Sequence, residues 1–517
     1  MPLPEGGPWP PPRLVPDPVR RKLAEWAAWY SGDPDQLSDF YRNRAGTAYD
    51  AVSAARLNRP SQYRGGVVGA LARWWWGQPV PIGDTRTALH LDVAGDLAAV
   101  SSNLLFSEPP TLTIDHTATQ QRLDELIDLT GLYATLLEAA EVCAALGGVY
   151  LRTCWDRDAR PDGPWLDVVH PDAAVPEWRW GTLAAVTFWR VLHDDGRTVV
   201  RHLERHEPGW IIHGLYEGGP DDLGRPIPLD EFPETAPLAE VVNAEGAIET
   251  GVPTMTAGYV PNMRPARMWR HLPAAAPLGR SDYAGAEGLM DALDEVYSSL
   301  MRDIRVAKAR LIVPSDYLQS LGPGQGAVFA DREVYEAVDV LQDGTGLQIS
   351  AHQFAIRVNE HLTAADHLIK RIIHVAGYSP QSFGDDGGGA AMTATEVRAR
   401  ERRSMITRDK KANYWRPFTA ARIENLLAID RVIFGTNIEP QRPRVAFGDS
   451  VSEDIGTLAA TAKALRDAEA ASTQVIVRLL HPDWDDQQVS EEVERVLAER
   501  GTPVEDPLAI RPAGADI

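Results

Sequence analysis

Residues 376–403 read AGYSPQSFGDDGGGAAMTATEVRARERR: an apolar helix end, a proline, a glycine-rich acidic loop and the start of a charged helix. Gly384, Gly387, Gly388 and Gly389 flank or follow Asp385 and Asp386, and Met392 and Thr393 close the phrase. Glycine loses the most conformational freedom when it is fixed, so a run of this kind is expected in an exposed, mobile loop rather than a core. Thr393 or Thr395, followed by Glu396, offers a capping hydroxyl and an early carboxylate for the orphan amides at a helix start. The phrase therefore predicts a flexible loop springing from a firmly capped helix.

Two strong amphipathic segments lie upstream. Residues 281–310 carry Leu289, Leu293, Val296, Leu300 and Ile304 on one stripe, and residues 352–376 carry Val358, Leu362, Ala365, Ile369 and Ile372 on another. Between them GPGQG, AVFA, VYEAVDV and DGTG predict a small αβ or β excursion at the end of a helical pair. Downstream, a long helix is expected from Thr395 to about Ile433, bent or joined at Pro417 because an interior proline costs about 3 kcal/mol. Residues 396–411 hold seven basic side chains (Arg398, Arg400, Arg402, Arg403, Arg408, Lys410, Lys411) against three acidic ones, a local charge of +4. Such a run is a solvated face, an ion-paired subunit contact or a contact to nucleic acid, and surface charge usually takes the first two roles.

Toward the N-terminus, the Pro-rich MPLPEGGPWPPPRL reads as a contact tail and Val19–Trp29 as a short helix stopped by Ser-Gly-Asp-Pro. WWWGQP marks an aromatic turn. His90–Leu105 reads as a helix stopped by Pro109-Pro110, Thr111–Asp115 as a strand, and Leu123–Leu146 as one helix ended by Gly147-Gly148. Residues 149–216 read as an antiparallel meander, 218–253 as an insertion or long loop, and 259–277 as an irregular connector. Asp454–Ala471 and Ser490–Glu499 read as polar helices joined through IVRLLHPDW, ahead of a disordered tail.

A chain of 517 residues exceeds one ordinary core, and 44% hydrophobic content with 24% charged residues is that of a folded protein. The formal charge of −22, from 51 basic and 73 acidic residues, opposes any mode that grips nucleic acid by neutralising phosphates. Its plainer meaning is solubility. Cys143 and Cys154 are too few for a disulfide framework or a four-ligand zinc site, which points to a reducing compartment. No signal-peptide pattern and no run of 18 apolar residues is present, so synthesis in the cytosol without membrane insertion is expected.

The chemical motifs of common enzymes are missing: no phosphate loop, His-Glu-x-x-His helix, Cys-x-x-Cys pair or nucleophile elbow. His202 and His206, with Glu204 and Glu207, fall on a strand, where residues four apart are about 13 Å apart and cannot share a zinc ion. His352, His361, His367 and His374 read as polar-face or interface residues, and Asp385-Asp386 lacks the other ligands of a calcium loop. No catalytic residue, metal or cofactor is expected.

The phrases LAEWAAWYSGDPDQLSDFY, WWWGQPVP, LHLDVAGDLAAVSSNLLFSEPP, EAAEVCAALGGVYLRTCWD and GYSPQSFGDDGGGAAMTATEV, in that order, resemble SPP1-like phage portal proteins of actinobacteriophages. The resemblance covers residues 20–500 and implies an α+β, mainly helical portal fold assembled as a ring, usually a dodecamer, at one vertex of a viral capsid. On that pattern residues 1–280 are the wing, 281–310 the first stem helix, 311–351 the clip, 352–376 the second stem helix, 377–394 the tunnel loop, 395–439 the long wing helix, and 440–517 the crown and tail. It places Gly384, Asp385, Asp386, Gly387, Gly388, Gly389, Met392 and Thr393 at the DNA channel, and makes Arg305, Lys308, Arg398, Arg402, Arg403, Lys410 and Lys411 contacts to DNA or to a neighbouring subunit. The implied partners are further copies of the chain, terminase, a head-tail adaptor, capsid and scaffold proteins, and double-stranded DNA passing without sequence specificity. The implied location is the virion, after assembly in the host cytoplasm. Another virion structural protein (capsid or adaptor) and a motif-less soluble hydrolase are the alternatives.

Overall fold

The computed structural model describes residues 3–33, 36–37, 89–306, 310–312, 319–320, 327–328, 350–352, 358–384, 394–448, 455–468, 470–481, 484 and 486–501. Met1–Phe447 and Gly448–Ile517 form two compact units.

The first unit is built around helices that share one apolar core. α1 (Asp17–Ser31) begins with Pro18 in its first turn, where a missing N–H costs nothing, and stops at Gly32 in the left-handed region at φ 63°. It buries Val19, Leu23, Trp26 and Trp29. α2 (Val93–Phe106) is capped by Asp92, whose carboxylate accepts from the Gly95 amide at 2.8 Å. The single helix expected over 123–146 is two, α3 (Thr117–Thr130) and α4 (Leu132–Leu146), bent by 66°. Gly131 between them sits at φ 66° and returns its N–H to the Ile127 carbonyl, so the leucine pattern continues while the backbone turns.

α4 packs beside β2 (Gly148–Cys154), the centre of a three-stranded sheet in the order β10-β2-β3, with β3 at Trp165–Val169 and β10 at Ala257–Pro261. β10 thus replaces part of the connector expected at 259–277. The meander proper is a second, six-stranded sheet: β4 (Ala174–Arg179), β5 (Thr182–Asp194), β6 (Val199–Glu207), β7 (Trp210–Gly218) and β8 (Arg225–Ile227) in order, with β9 (Ala247–Glu249) also on β7. The supposed insertion at 218–253 is therefore a sheet edge, since β8 and β9 pair with the two ends of β7. Its Gly and Pro content marks the turns around a short helix, α5 (Ala236–Val241).

The Pro-rich arm folds back on this sheet. Trp9, 3% exposed, packs on Val175, Leu203, Tyr216 and Leu223. Its amide donates to the Asp221 carbonyl at 2.9 Å, while the Leu223 amide donates to Gly7 at 2.8 Å. At the far end of the β4–β5 hairpin, Trp180 at φ 52° and Gly181 at φ 78° form a two-residue turn of the type that suits strand twist. Trp180 is the one non-glycine residue at positive φ among the described residues, at a cost of about 1 kcal/mol.

The predicted helical pair is present but shorter: α6 spans Glu287–Val306 and α7 spans Val358–Ala376, packed against each other. Residues 281–286, assigned by pattern to the first helix, instead form a buried turn in which Tyr283 donates to the Trp26 carbonyl at 2.8 Å. Between the helices, β11 (Arg310–Ile312) pairs with β14 (Ser350–His352), and β12 (Gln319–Ser320) with β13 (Ala327–Val328). The other residues of the excursion lie outside the described set. α8 (Ala394–Ile433) runs 40 residues with no join at Pro417. After it, β15 (Arg444–Ala446) pairs with β1 (Thr111–Thr113).

Trp415, Ile423, Leu426 and Leu427 of α8 share one core with α1, α2, α4 and the α6–α7 pair, and that core holds the long helix in place. The three-stranded and six-stranded sheets make the fold α+β with less helical dominance than the pattern implied. Among the described residues no single helix is long and apolar enough to cross a membrane.

The second unit contains α9 (Ile455–Asp467), α10 (Thr473–Leu480) and α11 (Asp486–Gly501). IVRLLHPDW, expected as a joint, lies largely in α10, which Ser472 caps by accepting from the Val475 amide. Among the described residues of this unit, Ala462, Ile476, Val477 and Val489 are the buried apolar ones.

Candidate functional site

The loop phrase is held at its N-terminal side by a set of hydrogen bonds between α7 and α8. α7 ends at Gly377, φ 93°, where a side chain would press on Thr407. A short turn at Pro380–Phe383 then closes on Gly384, exposed and at φ 78°. Thr407 Oγ1 donates to the Gly377 carbonyl at 2.7 Å, and the Ser379 amide donates to Ser404 Oγ at 2.9 Å. Ser404 Oγ also meets Ser382 Oγ at 2.8 Å, and Arg403 Nη2 donates to the His374 carbonyl at 2.8 Å. Small hydroxyl residues at 379, 382, 404 and 407 let the two backbones approach closely and satisfy their polar groups without bulk. Removing the buried Ser404 hydroxyl, as in Ser404→Ala, is expected to weaken this clamp by about 1 to 2 kcal/mol. Hydrogen exchange checks it: the Ser379 amide should exchange roughly tenfold faster while core amides in α4 stay unchanged.

Beneath the clamp lies a buried ion pair. Lys411 and Asp282 are each 1% exposed, and Lys411 Nζ lies 2.5 Å from Asp282 Oδ2 and 2.6 Å from Ser101 Oγ. Tyr378 donates its hydroxyl to the same carboxylate oxygen at 2.8 Å, Asn262 Nδ2 donates to the other at 2.7 Å, and the Asp282 amide donates to Ala144. Burial pushes the Tyr378 hydroxyl pKa well above its ordinary value, and the Asp282 charge adds to the rise, so it acts as a donor throughout the ordinary pH range. Three separate segments, carrying Lys411, Tyr378 and Asn262, meet at this one carboxylate.

That geometry corrects part of the basic stretch. Lys411, expected at DNA or at a neighbouring subunit, is consumed inside its own chain because its partner carboxylate is buried beside it. Arg408 is likewise buried, donating to the Leu104 carbonyl at 2.8 Å. Arg403 serves the clamp through one nitrogen, whereas Arg402 and Lys410 are exposed. The side chains of Arg305 and Arg398, the whole of Lys308, and Asp385, Asp386, Gly387, Gly388, Gly389, Met392 and Thr393 lie outside the described residues. Asp282 escaped the sequence reading: a lone acid between Ser281 and Tyr283 carries no motif.

A second polar cluster occupies the six-stranded sheet. His202, Glu204 and His206 share a face of β6, as alternation requires. Glu204 bonds Arg152 at 2.5 Å and His206 at 2.7 Å, and His206 reaches Thr256 at 2.7 Å. Arg152, then the His206 bond, hold the Glu204 carboxyl well below its ordinary pKa against the opposing effect of burial. His202 stacks on His213, rings 5.3 Å apart and 5° from parallel, with Nε2 and Nδ1 3.2 Å apart. Burial lowers both, to about 3 for His202 and about 4 for His213. Among the described residues no group of three or more His, Cys, Asp or Glu is placed to hold a metal ion. On α7, His361 bonds Asp303 at 3.2 Å, while His367 and His374 are exposed.

Residues 84–505 match the family model of phage portal protein, SPP1 Gp6-like. No curated protein matches. Among solved structures, the neck of a native GTA particle computed with C12 symmetry aligns at 12% identity and TM-score 0.41, over 75% of this chain and 88% of that one. The virion of a native gene transfer agent particle aligns at 12% identity and TM-score 0.39, over 80% and 99%. The neck of an empty GTA particle computed with C6 symmetry aligns at 13% and TM-score 0.38, over 87% and 97%.

Proposed function

The chain belongs to the SPP1 Gp6-like phage portal protein family, and from that premise we propose that it forms the ring-shaped DNA channel at one capsid vertex. The observation that carries the reading is the family match across 84–505, which spans the helical pair, the glycine loop and the long helix together. α6 and α7 are assigned as the stem, the strands between them as part of the clip, 377–394 as the tunnel loop, the two sheets and α8 as the wing, and the C-terminal helices as the crown.

The helical pair supports assembly. Its base is buried through Leu293, Ala365 and Ile372, yet toward the strand excursion Met301, Ile304, Val358 and Leu362 are 37–47% exposed. One chain leaves this stripe uncovered, and the next copy in a ring would cover it. A heterologous ring brings identical loops to one axis. A charge of −22 per copy favours a lining that repels or weakly holds phosphate, so DNA slides without sticking.

In this reading the protein is not an enzyme and has no cofactor. A terminase ATPase supplies the packaging force, a head-tail adaptor docks at the clip after filling, and capsid and scaffold proteins surround the ring in the virion. DNA leaves by the same channel during ejection. Freedom in the glycine loop is what lets it follow the DNA surface. Replacing Gly387–Gly389 by proline is therefore expected to cut genome filling several-fold, measured as packaged DNA per particle, while rings still assemble. Normal filling by that variant would contradict the loop's role.

A further inference from the structure

We propose that Trp180 of one copy seats in a cavity beside Trp9, Trp189 and Arg201 of the next copy, giving the ring a repeated interlocking contact outside the stem. The proposal rests on the ring reading above and adds to it a specific knob and a specific hole.

The knob is an anomaly within one chain. Trp180 is 96% exposed, the most exposed of the large apolar side chains among the described residues. It stands at the tip of the β4–β5 hairpin, where Arg179, Gly181 and Thr182 are exposed with it. Its φ of 52° belongs to a turn that asparagine or glycine fills with less strain. A bulky ring in a disfavoured conformation, 96% exposed, is poorly explained by folding. An exposed aromatic anchor is what interfaces concentrate their binding energy on.

The hole is equally unexplained by folding. A cavity of about 230 Å³ opens between the N-terminal arm, α1 and the six-stranded sheet, lined by Trp9, Pro10, Arg20, Trp189, Arg201 and Pro220 among others. Of seven buried side-chain atoms without a hydrogen-bond partner among the described residues, three belong to residues that line this cavity: Trp9 Nε1, Trp189 Nε1 and Arg201 Nε. All three are donors. Arg201 is 4% exposed, and its terminal nitrogens reach only the backbone carbonyls of Gly219, Pro220 and Asp222, so its charge touches no carboxylate. Such a site wants an aromatic body carrying acceptors.

The hairpin tip offers that combination. Trp180 brings an indole whose face suits a guanidinium, and a two-residue turn leaves the carbonyls of Trp180 and Gly181 free of the ladder to accept from a partner. The hairpin tip cannot reach the cavity of its own copy. Ala174, paired with Phe188, lies at the cavity end of β4, so the tip stands about 20 Å away along a stiff hairpin. The occupant is a second copy, and a ring repeats the same one-way contact around its circumference.

The test uses full-length protein. Trp180→Asn creates the turn sequence most compatible with this hairpin, so the folded chain should keep or gain thermal stability while each ring interface weakens by roughly tenfold or more, read by native mass spectrometry across protein concentration. The double variant Trp180→Cys with Asp221→Cys places one thiol at the tip and one at the exposed cavity rim. Mild oxidation should yield a ladder of covalent oligomers that neither single variant gives. Wild-type rings with unchanged Trp180→Asn assembly and no ladder would overturn the contact and leave the ring reading intact. Absence of rings in the wild-type protein would overturn the ring reading and the contact with it.

Discussion

Lys411→Ala is expected to lower the stability of the first unit by about 3 to 5 kcal/mol, the largest effect of any single substitution considered for this chain. The lysine is 1% exposed and so is Asp282, which leaves the carboxylate no route to water when the ammonium is gone. Tyr378 and Asn262 would still donate to it, but two neutral donors do not replace a cation at 2.5 Å. Replacing both members, as in Lys411→Met with Asp282→Leu, should recover much of the loss, because the cost arises mainly from stranding one charge. Urea denaturation of the three variants checks this. A loss below about 1 kcal/mol for Lys411→Ala would show that water reaches Asp282 after all.

The functional consequence follows from position. Tyr378 stands two residues after the end of α7, and Lys411 sits eighteen residues into α8, so the pair ties together both flanks of the glycine loop. The proposed tunnel-loop role requires fixed ends. Thr407, Ser404 and the buried pair supply that fixity from three successive levels of α8.

Acid should destabilise the first unit strongly, and well above the range in which carboxylates titrate. His202 and His213 have pKa values lowered from an ordinary 6.5 to about 3 and about 4. Between those limits the unfolded chain binds protons that the folded chain refuses, so stability is full above pH 6.5 and falls as pH drops toward the folded values. The loss from pH 6.5 to 4 should reach roughly 3 to 6 kcal/mol, the lower figure if the stacked pair accepts one proton between them. Glu204 has the opposite charge and the same sign of effect: its lowered pKa gives stability above the ordinary carboxylate range that is lost as pH falls through its folded value. The histidine part therefore comes first on acidification. Thermal melts at pH 7, 6, 5 and 4 read it, and His213→Phe should flatten the upper part of the profile. A flat profile between pH 6.5 and 5 in the original chain would contradict the buried neutral pair.

Much of this architecture was legible wherever a local rule acts alone. Gly32 and Pro109-Pro110 stop their helices where backbone chemistry demands, and the two apolar stripes found α6 and α7 because burial repeats every helical turn. The errors share a cause. Gly131 breaks a helix through its own conformation while the leucine period runs on, so periodicity could not register it. Residues 218–253 read as an insertion because three-residue strands such as β8 and β9 carry no alternation long enough to see, and only pairing with β7 defines them.

The anchor was the least legible part. Asp282 and Lys411 are 129 residues apart, and a lysine inside a basic run looks like surface charge until its partner is in place. Trp180 likewise carries no sequence motif. Its meaning comes from exposure and a positive φ, which belong to the folded chain alone.

Electron microscopy of the purified full-length protein tests the central claim most directly. The account predicts closed rings of about twelve copies, with α6 and α7 lining an axial channel and the loop after Gly384 facing it. A protein that stays monomeric at micromolar concentration, or a ring whose glycine loops face outward, would contradict it.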